Sequence, residues 1–547
     1  MIGDAIASCQ VRLSFAWACR PSQLSREVGQ IVGRVGKEVQ RWRLKTERIE
    51  GGLEAAIRRS EVRKKRPGLD RKAAKYDVAY SRELETAHVK WADPYAKGPI
   101  RAFFVSSVAE GRTVVELMQR LTLEPRVVSV DPHWDVNRWC MDRYADFDGR
   151  EPKDYSMAWS VLEPELAAKT QYDVMVVHSV LGWNHIPAKV RDLIYKRVKR
   201  GEGLVLVHPQ LGEDVRDKGL WEVSPIVSVP PTRLTMEGAG MDEGYPEPPR
   251  EAISGKPWQK AADHFIVDGI PFDALPYGPL RHYAYRLAKG ATGLATSVDG
   301  TPVVAVKEYG QGRVVGLGYH NYGLFPELAM RRGELNENFW EYLFSLLARS
   351  IVWAARKEPS VRLTGVEPSA KRLTPEKAAA GAVKLQLSNA GTPKQARVEV
   401  AFRNELGEVE GTARRSMKMA RGKREMTVAL PKAPTAGGRH FVDVMVSAGG
   451  KKQDWGSATY EVSRAARVAK VRPDADAVAA GKSLTGRARL AGKPRGLTLV
   501  SELRDMSGRV LSRQEKVVGS SREVRFRLAC PDALTNRGWV NCRLMDG

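Results

Sequence analysis

The sequence is poor in cysteine, with five in 547 residues: Cys9, Cys19, Cys140, Cys530 and Cys542. They are too scattered for a disulfide scaffold, and no C-x-x-C pair is present to bind zinc or run thiol redox chemistry. Cys530 and Cys542 leave two readings open, a cross-strand pair in an oxidising compartment or two thiols. No uncharged apolar run reaches the ~18 residues that a membrane-spanning helix needs, so no membrane span is expected. A convincing secretory signal is missing too. Residues 12–19, RLSFAWAC, form a short apolar run, but Asp4 and Arg12 interrupt the basic-then-apolar order of such signals. What remains is ordinary globular composition, 43% hydrophobic and 28% charged, in a chain long enough for roughly two to four domains.

Acidic residues are also in short supply, 64 against 88 Lys and Arg, a net charge of +24. Residues 1–90 carry 20 basic against 11 acidic residues and 361–547 carry 36 against 18, whereas 91–360 carry 32 against 35. The excess in the C-terminal third includes Arg487, Arg489, Arg525 and Arg527 at alternating positions. Alternation puts such residues on one solvated face of a sheet. No aromatic-and-basic signature accompanies them, so no nucleic-acid partner is expected.

The periodicities divide the chain. Residues 1–97 read as a helical N-terminal arm, on the spacing of Leu53, Ile57 and Val62 and then Leu69, Val78 and Leu84 after a Pro67-Gly68 break. Over 98–358 short apolar runs alternate with helical stretches. Strands are expected at 100–107, 126–131, 172–179 and 203–209, and helices at 111–121, near 157–168, and at 186–201 and 335–355. Strands alternating with helices predict a doubly wound α/β domain with a mainly parallel sheet. After Pro359 the helical patterning stops. Short alternating strands such as AVKLQLSN, ARVEVAFRN and HFVDVMVSAG predict an immunoglobulin-like β-sandwich over 361–463. A second β-sandwich is expected over 466–547. There Asp546-Gly547 follows a strand as a hairpin turn would, so this sandwich is expected to be truncated and to continue into further sequence.

Three stretches carry a family resemblance. YDVMVVHS…IPAKVRDLIYKRVKRGEGLVLVHP (172–209), HFIVDGIPFDALP (264–276) and VKEYGQGRVVGLGYHN (306–321) occur in an order that resembles the glutamine amidotransferase-like superfamily. The resemblance is to its branch of trehalose-utilisation-like proteins and β-galactosidase middle domains, with Phe265 where that branch has Pro. It implies the fold above and carbohydrate-associated work. Active amidotransferases carry a cysteine in a Gly-x-Cys-x-Gly elbow, where the strained turn exposes sulfur beside backbone N–H donors. The matching turn here is Val207-His208-Pro209-Gln210-Leu211, and Cys140 stands in no elbow. The missing nucleophile makes glutaminase activity unexpected.

Candidate site residues come from strand ends, where open α/β sheets bind ligands. Seven of nine histidines fall between residues 133 and 320. Asp131 and His133 follow the second strand, His178 and Ser179 end the third, His208 ends the fourth and His320 a late one. Of these, His178, His208 and Asp131 are the catalytic candidates, and His133, Trp134, Ser179 and His320 the ligand-binding ones. A set of imidazoles with a carboxylate can hold a divalent metal or supply a general base, or each His can simply cap its strand. His178 and His208, each after four apolar residues, are expected to face one solvent-accessible pocket. Two insertions would frame it. Residues 132–149 mix Trp134, Trp139 and Tyr144 with several Asp, a combination suited to sugar rings or to plain packing, and without the glycine of a calcium loop. Residues 230–258 hold six prolines and five acids, as a lid or a structureless loop would.

The leading expectation is therefore a carbohydrate-associated binding or accessory part of a larger polysaccharide-processing protein, with a downstream catalytic domain or partner subunit. The alternatives are a hydrolase using the His-lined crevice, metal-assisted or not, and a structural or adhesion protein. The compartment stays open: β-sandwiches suit an extracytoplasmic setting, and the poor signal segment argues against one.

Overall fold

The computed structural model of the chain describes residues 8–16, 88–106, 111–129, 162–178, 188–207, 209, 218–228, 258–275, 285–298, 300–319, 338–404, 408–430, 437–505, 510–531 and 537–545. Strands dominate, in several sheets, with few helices. The first element, Ser8–Ala16 (β1), is a strand and not part of a helical arm. The helical pattern read over 22–90 lies outside the described residues as far as residue 87. Residues 88–97 form turns and bridges around buried Trp91 and Tyr95.

An eight-stranded sheet follows. Its parallel part is built from Ile100–Ser106 (β2), Leu123–Ser129 (β3), Val174–His178 (β4) and Gly203–Val207 (β5). After Ile226–Ser228 (β6), which lies outside this sheet, come Gln259–Lys260 (β7), Tyr285–Leu287 (β8, paired with β6), Thr292–Thr296 (β9), Pro302–Tyr309 (β10) and Gly312–Leu317 (β11). The order is β3-β2-β4-β5-β11-β10-β9-β7. The first five strands pair in parallel and the last four antiparallel. The stretch 264–272 is a run of turns.

The runs VMVV and LVLV are apolar at every position because both faces of the sheet are covered. On one face Phe104, Val176 and Val205 meet the helices Gly111–Arg120 (α1) and Asn338–Ala354 (α4). On the other, Val105, Met175 and Leu204 meet Ala188–Arg200 (α2), Lys218–Val223 (α3) and a helical turn over 162–167. Buried Arg120 ties α1 to α4, with Glu116 and Glu341 each 2.6 Å away. A guanidinium out of water requires such pairing.

The first sandwich comprises Val361–Pro368 (β12), Arg372–Leu373 (β13), Ala382–Asn389 (β14), Lys394–Asn404 (β15), Val409–Met419 (β16), Gly422–Ala429 (β17), Gly438–Ala448 (β18) and Lys451–Val462 (β19). It has a β12-β14-β17 sheet and a β13-β19-β18-β15-β16 sheet. The expected all-β character holds with one exception, the short helix Pro375–Ala379 (α5). Thr374 caps it and Pro375 opens it, a strong local start signal. The core also runs across Pro359. Phe441 and Trp455 belong to the same apolar cluster as Tyr342 and Leu346 of α4, and Trp455 Nε1 donates to Ser345 Oγ at 2.7 Å.

The second sandwich comprises Arg467–Pro473 (β20), Ala477–Ala479 (β21), Lys482–Ala491 (β22), Thr498–Asp505 (β23), Val510–Val517 (β24), Glu523–Cys530 (β25) and Arg537–Met545 (β26). Arg487, Arg489, Arg525 and Arg527 are exposed between buried neighbours, as alternation requires. Cys530 and Cys542 are both buried and are not joined in a disulfide. No helix among the described residues is long and apolar enough to cross a membrane.

Candidate functional site at the carboxyl edge of the parallel strands

The five parallel strands end in one rank. Ser106 is the register partner of Ser129 on one side and His178 on the other. His178 is opposite Val207, and Val207 opposite Leu317. From β2 the chain goes outward to β3 and then crosses back to β4, so the strand order reverses between β2 and β4. In open sheets that reversal opens a crevice at the carboxyl ends. Here Ser106 and His178 are register partners at that reversal.

His178 falls on the same face as Val174 and Val176, the face covered by α1 and α4. It is 1% exposed, not open to solvent as expected. Burial pushes its pKa down to about 3, because a cation there would lose its water. The imidazole is therefore neutral at physiological pH. Such a group is a poor general base, since an effective one titrates near the working pH. It is a good neutral hydrogen-bonding group.

Two further groups share this face and this end of the sheet. Thr113, in the first turn of α1, is 2% exposed, and its hydroxyl has no hydrogen-bond partner among the described residues. Tyr319, two residues past β11, is fully buried against Trp258, ring centroids 5.0 Å apart. Its hydroxyl also has no partner among the described residues, and burial raises its pKa. Buried hydroxyls without partners are uncommon, and each loses roughly 1–3 kcal/mol until something bonds to it. Tyr285 donates from its hydroxyl to the Pro209 carbonyl at 2.8 Å, fixing the chain just past β5.

Of the residues singled out from sequence, only His178 lies among the described ones. Asp131, His133, Trp134, Ser179, His208 and His320 lie outside them, as do Cys140 and nearly all of both insertions. Among the described residues no three His, Cys, Asp or Glu gather to hold a metal ion. Thr113 and Tyr319 escaped sequence reading. The available signal was positional: a hydroxyl in the helix turn after the first strand, and another just past the last parallel strand. No cysteine stands at any of the five strand ends or directly after one: the pairs are Ser106-Ser107, Ser129-Val130, His178-Ser179, Val207-His208 and Leu317-Gly318.

No protein-family model matches the sequence, and no curated protein matches it. Among solved structures it is similar to a ThuA-like protein from Parabacteroides merdae, at 14% identity over 47% of this chain and 90% of that one, TM-score 0.27. It is similar to a cytoplasmic protein from Salmonella typhimurium, at 13% identity over 46% and 98%, TM-score 0.28. A β-galactosidase from Rahnella sp. R3 matches at 13% identity over 61% of this chain and 41% of its own, TM-score 0.24. At these values the likenesses carry no functional argument.

Proposed function

We propose that the chain is a carbohydrate-associated binding or accessory protein. In this reading 98–358 is a doubly wound, amidotransferase-like domain without a nucleophile, carrying sandwiches over 361–463 and 466–547, and a neutral oligosaccharide is its ligand. The observation that carries the reading is the set of buried groups near the carboxyl edge of the parallel strands that carry no charge: the Thr113 and Tyr319 hydroxyls and the neutral His178. Groups that neither carry nor attract charge suit a polyhydroxyl ligand better than an anion or a metal. Asp131, His133, Trp134, Ser179, His208 and His320 come after strand ends in the sequence and are the further candidates for sugar contact. The hydrolase alternative would need a base other than His178.

Calorimetric titration of the full chain against a panel of neutral and acidic oligosaccharides tests this. A neutral glycan should bind, and Thr113→Val or His178→Gln should weaken it about tenfold, the cost of roughly one hydrogen bond to a neutral partner. Binding confined to acidic glycans, or a neutral glycan indifferent to both substitutions, would overturn it.

A further inference from the structure

The two sandwiches follow one strand plan. The three-stranded sheets run β12-β14-β17 and β20-β22-β25, and the five-stranded ones β13-β19-β18-β15-β16 and β21-β1-β26-β23-β24. Even the irregularities recur: register shifts after Leu363 and Val468, and after Phe402 and Leu503. Thus β20 to β26 repeat β12 to β18 one for one, and the place of β19 falls to β1. Both strands in that place lie antiparallel to one neighbour, β18 or β26. Both lie parallel to the other, β13 or β21.

The routes to that place differ. β19 follows β18 through Gly449-Gly450, both at positive φ, as a tight hairpin requires. β1 arrives from the far end of the sequence, held by register from Ser8 opposite Arg543 to Ser14 opposite Arg537. One detail marks the place as receptive. In the first sandwich Asp443 of β18 accepts from Ser457 of β19 at 2.6 Å. The equivalent residue of β26, Asn541, is 1% exposed, and neither atom of its amide has a hydrogen-bond partner among the described residues. Its register partner is Gln10.

We propose that the place between β21 and β26 is a strand-accepting site and that its occupant is the Ser8–Ala16 segment of the same molecule. Recognition is by the main-chain ladder along β26, with Asn541 reading a polar group at the position of Gln10. A sandwich completed in this way couples Ser8–Ala16 to Arg537–Met545.

The register supplies a direct test. Cys9 lies opposite Cys542. Opposed residues of an antiparallel pair have Cα atoms roughly 4.5–5.5 Å apart, within the span of a disulfide. Treating the full chain with diamide, which takes the hydrogen of each thiol as the sulfur–sulfur bond forms, should give a Cys9–Cys542 linked peptide. That peptide should vanish in Cys542→Ser. Cys9 linking as readily to Cys19 or Cys140, or Cys542 staying reduced, would overturn the proposal. Independently, the chain lacking residues 1–16 should bind a fluorescent peptide of residues 8–16 saturably. It should reject the peptide with Val11→Pro and Arg12→Pro, which lacks one ladder N–H of either alternation. Equal binding of the proline peptide, or backbone amides of 537–545 that exchange equally fast with and without residues 1–16, would also overturn it.

Discussion

Arg349 and Asp454 face each other at 2.8 Å, with side chains 1% and 0% exposed, and they join α4 of the eight-stranded block to β19 of the first sandwich. Arg349 also donates to the carbonyls of Phe265 and Trp455, and Asp454 accepts from the backbone N–H of Leu363 and Trp455. Burial pushes the Asp454 carboxyl above its ordinary range, and Arg349 opposes that push. Removing the cation alone strands a buried carboxylate. Arg349→Met should therefore lower unfolding stability by about 3–5 kcal/mol, and the double variant Arg349→Met/Asp454→Leu should recover part of the loss. Urea unfolding followed by tryptophan fluorescence checks both. A double variant no better than the single one would mean that the charge pairing is not the source of the loss.

The same junction contains a backbone contact that no side chain fits. Gly269 has φ +69°, and a Cβ there would come within 2.7 Å of the Gly456 Cα. Its carbonyl accepts from Ser457 N at 2.6 Å. Gly269→Ala should cost about 3 kcal/mol or more from strain and overpacking together. Gly290→Ala, at φ +77° with open space around it, should cost only the backbone share, about 1 kcal/mol. Equal melting temperatures for the two variants would contradict this account.

The depressed His178 pKa makes a pH prediction with a definite sign. The folded protein keeps the imidazole neutral down to about pH 3, whereas the unfolded chain protonates it near its ordinary 6.5. Stability should be unaffected by this group above pH 6.5 and fall as the pH drops from there toward 3. At pH 5 the difference corresponds to about 2 kcal/mol. His178→Gln should remove that part of the acid sensitivity, which denaturation at pH 7, 6 and 5 would reveal. Ligand binding, by contrast, should show no titration of His178 between pH 6 and 8.

The parallel strand ends carry no cysteine, so no ammonia should be released from glutamine above the uncatalysed rate, with or without Cys140→Ser. Release that disappeared in Cys140→Ser would show that a thiol outside any strand-end elbow can do this chemistry.

Much of the secondary structure was legible in the residues. The runs around Phe103, Val176 and Val205 read as buried strands, and Val190, Ile194 and Val198 recur at helical spacing. The alternation in β14, β15, β22 and β25 announced sheets with one wet face. The misreadings have separate causes. Thr374-Pro375 is a sound helix start inside a strand-rich stretch, and Ser8–Ala16, read with the helical arm, is a strand whose partners lie far along the chain. The candidate site was less legible. The strand-end rule singled out His178, which is buried and not open to solvent as expected, and Thr113 and Tyr319 look like ordinary helix and strand residues in isolation.

The sequence by itself determined much of which described segments are strand or helix, because 2.0- and 3.6-residue periods are written in neighbouring residues and need no distant partner. It also determined the absence of a cysteine elbow. Only the tertiary structure decided which strands lie side by side. The register of Ser106 with His178, the pairing of Arg349 with Asp454 across 105 positions, and the entry of Ser8–Ala16 beside Arg537–Met545 are all contacts between segments far apart in the chain. The energy of such contacts depends on burial and ladder hydrogen bonds that exist only after the chain has folded. No short window of sequence contains both partners.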